Sequence, residues 1–375
     1  MKWQSSSRLR GVLNKAKGEL EVGIDFLKLP EGHVIPLENG ILRLEDMQLI
    51  PYSPDFGIRS QLPVKYISDA KCPKFLSFLN KALSPEDVEV LQLWFGMALY
   101  GKNKCHKILI LTGVAGAGKG TIARIITEIL GRENVQGLRT KLLESSFETA
   151  RFIDKKLLYG ADVPLDFLSV KSASILKALV GDDLIATERK NANENRAIIG
   201  DFNILITCNG KLYVHLESDA DAWRRRLIII EFKTIPLPQD YVADLSGVIL
   251  EEERSGILNW MIEGAVKLLK LKWQFPLHQT HTQIIDEHLS ASSSPKFFIQ
   301  EKTEVCIEGN GITARQLHEA YSTYCHAKQW TPFLFRLFVP MAEKEIGNKF
   351  RLPSRHDIPD DKGKDQQGWK GIRLK

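Results

Sequence analysis

The sequence predicts an α/β protein with a parallel central sheet, a small α+β and helical region before it, and a helical unit with a basic tail after it. Three observations predict this fold. Four short apolar runs, ending near Leu111, Asp162, Asn209 and Phe232, have the continuous hydrophobicity of strands buried on both faces. A glycine-rich turn and an amphipathic helix follow the first run. Two helical patterns and a basic segment follow the last.

Composition is that of a soluble globular protein. The chain has 375 residues, of which 43% are hydrophobic and 26% charged, and about 100–200 residues per domain gives two or three domains. The five cysteines form no C-x-x-C pair, which argues against a zinc site or a disulfide framework and favours a reducing cytoplasm. No apolar run approaches the roughly 20 residues that span a bilayer, and the first residues lack the apolar core of a secretory signal. The net charge of +5 permits a nucleic-acid partner without indicating one.

The N-terminal region predicts a hairpin and two helices. Leu37–Asp46 alternates apolar and polar residues around Asn39-Gly40, a hairpin-type turn. A helix is predicted after Cys72-Pro73. Ser84-Pro-Glu-Asp87 combines an N-cap, proline at the first helical position and acidic residues in the first turn, so a second helix should run to about Tyr100. That helix is too apolar to stand alone, and it packs either on a core or on a neighbouring subunit.

The first buried run, Ile108–Leu111, leads into Gly113-x-x-x-x-Gly118-Lys119, the pattern of a phosphate-binding loop. Glycines let backbone N–H groups turn toward phosphate oxygens, and the N-terminus of the following helix favours an anion. Gly120 occupies the usual Ser/Thr position, so Thr121 is the candidate for the Mg²⁺ hydroxyl. The alternative, a strand–helix turn that binds nothing, is disfavoured because strand, loop, lysine and helix are in register. The predicted nucleotide-binding residues are Gly113, Val114, Ala115, Gly116, Ala117, Gly118, Lys119, Gly120 and Thr121.

Two later strands are predicted to end beside this loop in polar residues. Leu157–Asp162 places a carboxylate at a strand end, as in a Walker B motif, where it holds Mg²⁺ and helps to polarise the attacking water. Asn203–Asn209 ends in an amide that can orient the hydrolytic water. Each signal is weak alone, because asparagine also ends strands for reasons of turn geometry.

Two basic clusters are candidate anion contacts. Arg224, Arg225 and Arg226 precede the fourth strand, and clustered arginines there are costly unless they meet anions. Arg189, Lys190 and Arg196 belong to a polar segment between Ile185 and Ile198 that is predicted to be a hairpin tip and can contact phosphates. A solvated loop is the plainer interpretation of this second cluster.

The C-terminal part predicts helices and a basic ribbon. Glu251–Leu269 is an amphipathic helix, and 279–295 is a polar, serine-rich stretch that bridges to a last unit. Thr313 and Gln316 form a capping box for a helix to about Lys328, and a second helix begins near Pro332. Residues 349–375 then hold eight Lys/Arg against four Asp. A winged helix that holds duplex DNA and an aromatic-cored helical cap with a solvated tail are equally good interpretations.

The order of these motifs resembles that of superfamily 3 helicases, most closely the D5-like branch at the C-terminal end of phage and plasmid (P4-type) primases. The resemblance covers roughly residues 20–270. It rests on Asn39-Gly40, Lys119, Lys177–Asp183, Glu188–Lys190, Asn209, Arg225-Arg226 and Phe232.

The resemblance implies an AAA+-type P-loop ATPase that uses ATP and Mg²⁺ and assembles as a homo-oligomer, a hexamer, through a helical collar. Lys119 and Thr121 then hold phosphates and Mg²⁺, Asp162 is the Walker B acid and Asn209 is the sensor. Arg225 or Arg226, with Arg224 as a further candidate, acts on the neighbouring subunit's ATP. The implied hairpin residues Arg189, Lys190 and Arg196 grip single-stranded DNA in a central channel. The implied domains are a D5-like lead-in at 1–80, the ATPase at 81–275, a linker at 276–294 and a winged-helix-like domain at 295–375.

Three departures from the family pattern bear on function. Asp162 and Pro164 stand where the family commonly has glutamate and a second acid, and no proline follows Asn209 closely. The primase part has no room upstream, so a separate primase is a possible partner. The sequence therefore predicts an ATP-driven DNA helicase in the cytoplasm of a bacterial or phage-infected host, for replication of a phage, plasmid or integrated element. The alternatives are a DNA-binding ATPase switch or loader without unwinding activity, and a small-molecule kinase, which would leave the arginines and the hairpin unexplained.

Overall fold

The structure is a computed structural model, and it describes residues 9–13, 15, 32–53, 56–58, 60–164, 170–188, 196–210, 220–235, 242–306, 311–328, 330, 332–360 and 362–375. Residues 9–13 are helical and exposed. The strands that follow are β1 (Val34–Leu37), β2 (Gly40–Arg43), β3 (Leu49–Ile50), β4 (Ile108–Gly113), β5 (Val135–Gly137), β6 (Leu157–Gly160), β7 (Leu184–Thr187), β8 (Arg196–Ile199), β9 (Asn203–Thr207), β10 (Leu227–Phe232), β11 (Thr303–Val305), β12 (Gly311–Thr313), β13 (Arg355–Pro359), β14 (Asp365–Lys370) and β15 (Ile372–Leu374). The helices are α1 (Pro73–Ala82), α2 (Pro85–Tyr100), α3 (Lys119–Leu130), α4 (Ser146–Thr149), α5 (Val170–Ala178), α6 (Ala220–Arg224), α7 (Leu245–Lys270), α8 (Gln279–Ser292), α9 (Ser294–Lys302), α10 (Ala314–Ala327) and α11 (Phe335–Phe350).

The central sheet has five parallel strands in the order β10-β4-β9-β6-β5. The four strands predicted from apolar runs are all present. The fifth, β5, lies at the edge and has only three residues, too few to give a sequence signal. Because all strands run the same way, the turns after β4, β6 and β9 meet at one edge of the sheet, where ligands of open α/β sheets bind.

Both faces of the sheet are covered by helices, which explains why its strands are apolar throughout. Leu109 and Leu111 of β4 belong to a core formed with α2, α3 and α7. Ile108 and Ile110 face the opposite way, into a second core that includes residues of α5, α6 and α8. The alternation follows from the two-residue period of a strand.

Helix α2 packs on the core of its own chain, which resolves the alternative left open by its sequence. Its residues from Val90 to Leu99 are buried, and it crosses α7 at very short range. A Cβ atom on Gly264 would lie 2.1 Å from the carbonyl oxygen of Gln92, so the backbones meet where glycine leaves room. The N-cap Ser84, the proline at the first helical position and the helix end at Tyr100 are as predicted, and Asp87 completes a capping box with Ser84.

The N-terminus of α1 is capped by a residue from a distant part of the chain. Cys72 at its N-cap provides no side-chain hydrogen bond. Instead the carboxylate of Glu253 on α7 accepts hydrogen bonds from the backbone N–H groups of Lys74 (2.8 Å) and Phe75 (2.9 Å). A buried carboxylate thereby satisfies two donors that the first turn of a helix leaves without partners.

The predicted hairpins and caps are confirmed, with two details corrected. β1 and β2 pair antiparallel around residues 38–39, and β7 pairs with β8. The capping box of Thr313 and Gln316 opens α10. The second C-terminal helix begins at Phe335 rather than near Pro332. The stretch predicted as a linker at 276–294 contains the helix α8, whose Ile285 and Leu289 join the second core; the domain boundaries themselves stay predictions.

The C-terminal segment is folded and is not a solvated tail. Phe298, Tyr321, Phe338 and Trp369 are buried together in a third core, and the rings of Tyr321 and Phe338 stack with centroids 4.4 Å apart. Strands β12, β14 and β13 form an antiparallel sheet that carries Trp369 into this core. The predicted aromatic core is therefore present together with an ordered ribbon. Within the described residues, no helix is long and apolar enough to cross a membrane.

Candidate nucleotide-binding site

A cleft of about 480 Å³ opens at the edge of the sheet where β4, β6 and β9 end. Its size is within the range of ordinary small-ligand pockets. The lining comes from the glycine-rich loop and the start of α3, from the ends of β6 and β9, and from the start of α7: Ala115, Gly116, Gly118, Lys119, Gly120, Thr121, Arg124, Tyr159, Asp162, Thr207, Asn209, Val242, Asp244, Leu245 and Ser246.

The glycine-rich loop needs its glycines at specific points. Gly113 has φ 125°, and a Cβ there would lie 2.0 Å from the carbonyl oxygen of Phe232 on the neighbouring strand. Gly118 has φ 102° and is the N-cap of α3. Both conformations are ones that residues with a Cβ rarely adopt. The first helical hydrogen bond runs from the Ile122 N–H to the Gly118 carbonyl (3.1 Å), so the N–H groups of residues 119–121, in the first turn of α3, have no helical acceptor and can bind an anion. The N–H groups of Val114 and Ala117 already donate to backbone carbonyl oxygens.

Lys119 lies at the base of this loop. Its side chain is only 5% exposed, and Nζ donates to the carbonyl oxygens of Gly113 (2.8 Å) and Val114 (2.7 Å). Burial lowers the pKa of this ammonium, while the nearby Cys208 and Asp162 act in the opposite direction. The ammonium thus donates to two neutral carbonyl oxygens of the loop. A phosphate oxygen, which is charged, is a stronger acceptor and can replace them.

Asp162 and Asn209 both lie across the cleft from the loop, as the strand pattern predicted. Asp162 follows β6 with φ 42°, and its N–H donates to Thr207 Oγ1 (3.1 Å). The same hydroxyl lies 3.3 Å from the hydroxyl of Tyr159. The backbone around Asp162 is therefore fixed to β9, while the side chains of Asp162 and Asn209 are exposed to the cleft.

The residues present fit a nucleotide with Mg²⁺. Thr121 and Asp162 both line the cleft, and Mg²⁺ is commonly held by one or two protein oxygens together with phosphates and waters rather than by a full protein cage. The described residues contain no group of three His, Cys, Asp or Glu that could hold a metal by themselves. The oxygens of Thr121 and Asp162 suit a metal that arrives with its phosphate ligand.

Several cleft residues were missed by the sequence analysis. Arg124 on α3 pairs with Asp244, the N-cap of α7, and Val242 and Ser246 lie beside it. The sequence Asp-Leu-Ser-Gly at 244–247 is a recognisable helix start. No local signal shows that this start lies next to a loop 120 residues earlier.

The three arginines before β10 have different surroundings. Arg224 forms ion pairs with Asp221 (2.8 Å) and Asp286 (2.7 Å) of its own chain. Arg226 is buried, at 8% exposure, and donates to the carbonyl oxygen of Ala222 (3.1 Å). Arg225 is exposed, and its guanidinium makes no hydrogen bond or ion pair with the described part of the chain.

Arg225 lies at the opposite end of the sheet from the glycine-rich loop. It precedes β10, whose first residue, Leu227, pairs with Ile108 at the start of β4, while the loop follows the end of β4. From Ile108 to Gly113, the first and last residues of β4, there are five residue steps, or about 17 Å at 3.3 Å per residue. The backbone of Arg225 is held there by Lys107, whose Nζ donates to its carbonyl oxygen (2.7 Å). This arginine therefore cannot approach the cleft of its own subunit.

Only part of the predicted DNA-binding hairpin can be assigned. The antiparallel pair β7 and β8 confirms the hairpin, and Arg196 begins β8 opposite Thr187. Arg189 and Lys190 lie outside the described residues.

Two family models match the chain. A family described as D5 N terminal like matches residues 1–84. A family of unknown function, DUF5906, matches residues 111–226. The second match begins in β4 and ends at Arg226, so it includes every residue predicted here to be catalytic: Lys119, Asp162, Asn209, Arg225 and Arg226.

Three solved structures of the C-terminal region of NrS-1 are similar to the chain. An apo structure of residues 305–718 has a TM-score of 0.48 at 14% identity, over 82% of this chain and 77% of that chain. An A-form apo structure has a TM-score of 0.49 at 12% identity, over 99% and 91%. A second A-form structure, of residues 305–718, has 0.49 at 12%, over 98% and 90%. Because these similarities are low, the roles of the site residues are inferred from the geometry of this chain alone.

Proposed function

We propose that the chain is an ATP-dependent DNA helicase of superfamily 3, an AAA+-type P-loop ATPase that works as a homo-oligomeric ring in the replication of a phage, plasmid or integrated element. One observation carries the proposal: a lysine-bearing glycine loop faces Asp162 across a cleft, and an exposed arginine lies at the other end of the same sheet. The D5 N-terminal-like match at residues 1–84 supports the family inferred from the motif order.

ATP with Mg²⁺ is the ligand that this cleft suits best. The loop N–H groups and Lys119 provide donors for the β- and γ-phosphates, and Thr121 with Asp162 provides oxygens for Mg²⁺. Bound Mg²⁺ would neutralise charge that develops on the phosphates. Asp162 and Asn209 are placed to orient the attacking water.

The position of Arg225 supports catalysis between subunits. An arginine that neutralises the γ-phosphate must contact it, and Arg225 lies too far from the cleft of its own chain. A second copy of the chain in head-to-tail contact would bring the two ends together, and repetition of that contact closes a ring. Burial of Arg226 and the ion pairs of Arg224 make both less suitable than Arg225.

Two surfaces are proposed for DNA. The hairpin of β7 and β8, with Arg189, Lys190 and Arg196, is the proposed contact with single-stranded DNA in the channel. The C-terminal helices and the basic ribbon of β13 and β14 have the components of a winged helix, which suits duplex DNA near the ring. Of the eight basic residues of 349–375, Lys349 donates to three carbonyl oxygens, and Arg355 and Arg373 form ion pairs with Asp357 and Glu304. The other five are the proposed phosphate contacts.

Strand displacement on a forked DNA with ATP and Mg²⁺ tests the proposal. The wild type should separate the strands, whereas Lys119→Ala and Arg225→Ala should each abolish separation and reduce ATP hydrolysis at least about 100-fold. Arg224→Ala serves as the matched control, because that arginine is already paired within its own chain. Mixed assemblies of Lys119→Ala and Arg225→Ala chains should recover part of the hydrolysis, since some interfaces then combine an intact loop with an intact arginine.

A DNA-binding ATPase switch or loader is the second candidate, and Asp162 favours it. This carboxylate is one methylene shorter than the family's usual glutamate, so it reaches less far toward the attacking water. ATP hydrolysis that DNA stimulates without strand displacement would support the switch or loader and contradict the helicase.

A further inference from the structure

The cleft has a second wall that no sequence motif marks. It is formed by the chain around the start of α7, where Val242, Asp244, Leu245 and Ser246 line the cleft opposite the glycine-rich loop. Val242 is 48% exposed. An exposed apolar side chain beside an exposed carboxylate matches the two parts of a nucleoside, an apolar base face and polar groups that donate hydrogen bonds.

Asp244 is held rigidly at this wall. Its backbone has φ 52°, and its carboxylate accepts a hydrogen bond from the N–H of Gly247 (3.2 Å) as the N-cap of α7. Arg124 forms an ion pair with the same carboxylate. The hydroxyl of Ser246 is a third donor, at 3.4 Å, and all three contacts are to Oδ1. Acceptor capacity therefore remains on Oδ2, because an ionised carboxylate has about four lone-pair sites. The side chain is 56% exposed, so a ligand in the cleft can reach it.

The position of the loop fixes which part of a nucleotide meets Asp244. Phosphates on the loop N–H groups and Lys119 leave the sugar and base to the rest of the cleft lining. That lining includes Arg124, three residues after Thr121 on α3, and its partner Asp244. An ionised carboxylate can only accept hydrogen bonds, and the donors of ATP are on its nucleoside, so the nucleoside is the part that Asp244 can bind.

We propose that Asp244 is a specificity-determining residue of the nucleotide site, which accepts a hydrogen bond from a donor on the nucleoside, and that Arg124 positions its carboxylate. The donor is a ribose hydroxyl or an amino group of the base. The inference rests on the proposed function, because it assumes that the phosphates bind at the glycine-rich loop.

Equilibrium dissociation constants of the full chain test the inference. The ligands are ATP, 2′-deoxy-ATP, 3′-deoxy-ATP and purine riboside triphosphate, which lacks the amino group, each with Mg²⁺. Asp244→Gly removes the acceptor at a position where glycine suits both the left-handed backbone and the N-cap. Asp244→Asn keeps one oxygen and should recover part of the affinity. Glu251→Gln, on the exposed side of α7, is the matched control.

Asp244→Gly should weaken ATP binding about 10- to 100-fold, the range for one hydrogen bond to a charged group. The analogue that lacks the donor should bind the wild type correspondingly less tightly and lose nothing further in Asp244→Gly. This non-additivity identifies the donor as a hydroxyl or as the amino group. An equal loss for all four ligands, or ATP affinity within twofold of the wild type, would overturn the inference.

The inference and the proposed function fail in different ways. A wild-type chain without Lys119-dependent ATP binding contradicts both. Lys119-dependent binding that is unaffected by Asp244→Gly contradicts only the role of Asp244. Melting temperatures without nucleotide, compared between the two Asp244 variants and the wild type, show whether any loss of binding comes from unfolding of the start of α7.

Discussion

A Cβ atom placed on Gly96 of α2 would lie 2.1 Å from the backbone nitrogen of Ala265 on α7. No side-chain rotation relieves a contact with backbone, so the two helices must separate to admit a methyl group. The crossing lies within the core that also holds β4 and α3, and the nucleotide cleft is built on those elements. The contact therefore affects the stability of the whole unit built on the central sheet.

Gly96→Ala should destabilise the protein by more than the 1–3 kcal/mol usual for overpacking, at least about 3 kcal/mol. Urea unfolding followed by circular dichroism measures the change. Gly347→Ala is the matched control, because nothing lies within 4 Å of a Cβ at that helical position. It should be neutral or stabilise by up to about 1 kcal/mol, and a similar loss in both variants would contradict the packing argument.

Glu253→Gln should destabilise the protein by about 1–3 kcal/mol, because one of the N–H groups of Lys74 and Phe75 then loses its acceptor in a buried place. Its neighbour Glu252 makes an ion pair with the Lys74 side chain at the surface. Glu252→Gln should cost less than about 1 kcal/mol. Equal costs for the two substitutions in urea unfolding would show that Glu253 is not a helix cap.

Glu231 should make stability depend on acid pH. Its pKa is lowered from 4.5 to about 2, first by the His288 imidazole, whose Nε2 lies 3.7 Å from the carboxylate, and also by Lys233 at 3.3 Å. A carboxyl with a lowered pKa stabilises the fold above the unfolded value, and this contribution is lost as the pH falls from about 4.5 to about 2.

Glu231→Gln should therefore cost about 1–3 kcal/mol at pH 7, and the difference from the wild type should shrink toward zero near pH 2. Unfolding free energies measured between pH 2 and pH 7 check this. Glu251→Gln, on the exposed face of α7, should differ little from the wild type across the range. A difference for Glu231→Gln that stays constant down to pH 2 would contradict the assignment.

Trp369→Ala should unfold the C-terminal unit, because the indole is fully buried among Phe298, Tyr321 and Phe338. The expected cost is about 3–5 kcal/mol. Limited proteolysis should then cleave residues 303–375 while the central sheet stays resistant. Leu374→Ala, at a position 37% exposed, should leave the pattern unchanged. A Trp369→Ala chain that resists cleavage as well as the wild type would contradict the role of the indole in this core, and a wild type that is itself cleaved within 303–375 would indicate a solvated tail.

Local sequence patterns were sufficient to predict most strands and helices. They were also sufficient to predict that the glycine-rich loop lies near the ends of β6 and β9. Glycines with positive φ, a lysine and a following amphipathic helix are close in the chain, and Asp162 and Asn209 follow strands whose parallel arrangement brings their ends together. Contacts between distant segments could not be predicted. Asp244 meets Arg124 across 120 residues, and Glu253 caps a helix 178 residues earlier.

The three adjacent arginines show a second limit. Their spacing indicates an anion contact but not which side chain is free to make one. Arg224 forms an ion pair with Asp286 of α8, and Arg226 is buried. Both depend on how the chain packs around the end of α6. The exposure of Arg225 is thus a property of the packed chain.

Helix α7 connects the cleft with the N-terminal hairpin. Its N-cap, Asp244, lines the cleft, and the helix continues for 26 residues, about 39 Å at 1.5 Å per residue. Just beyond its end, the ring of Trp273 lies 5.0 Å from that of Tyr100 and 6.0 Å from that of His33, next to the N-terminal hairpin. Between these two places the helix is fixed by its glycine crossings with α2, at Gly96 against Ala265 and at Gly264 against Gln92. The cleft and the N-terminal hairpin are thus connected through one continuous helix that the core holds along its length.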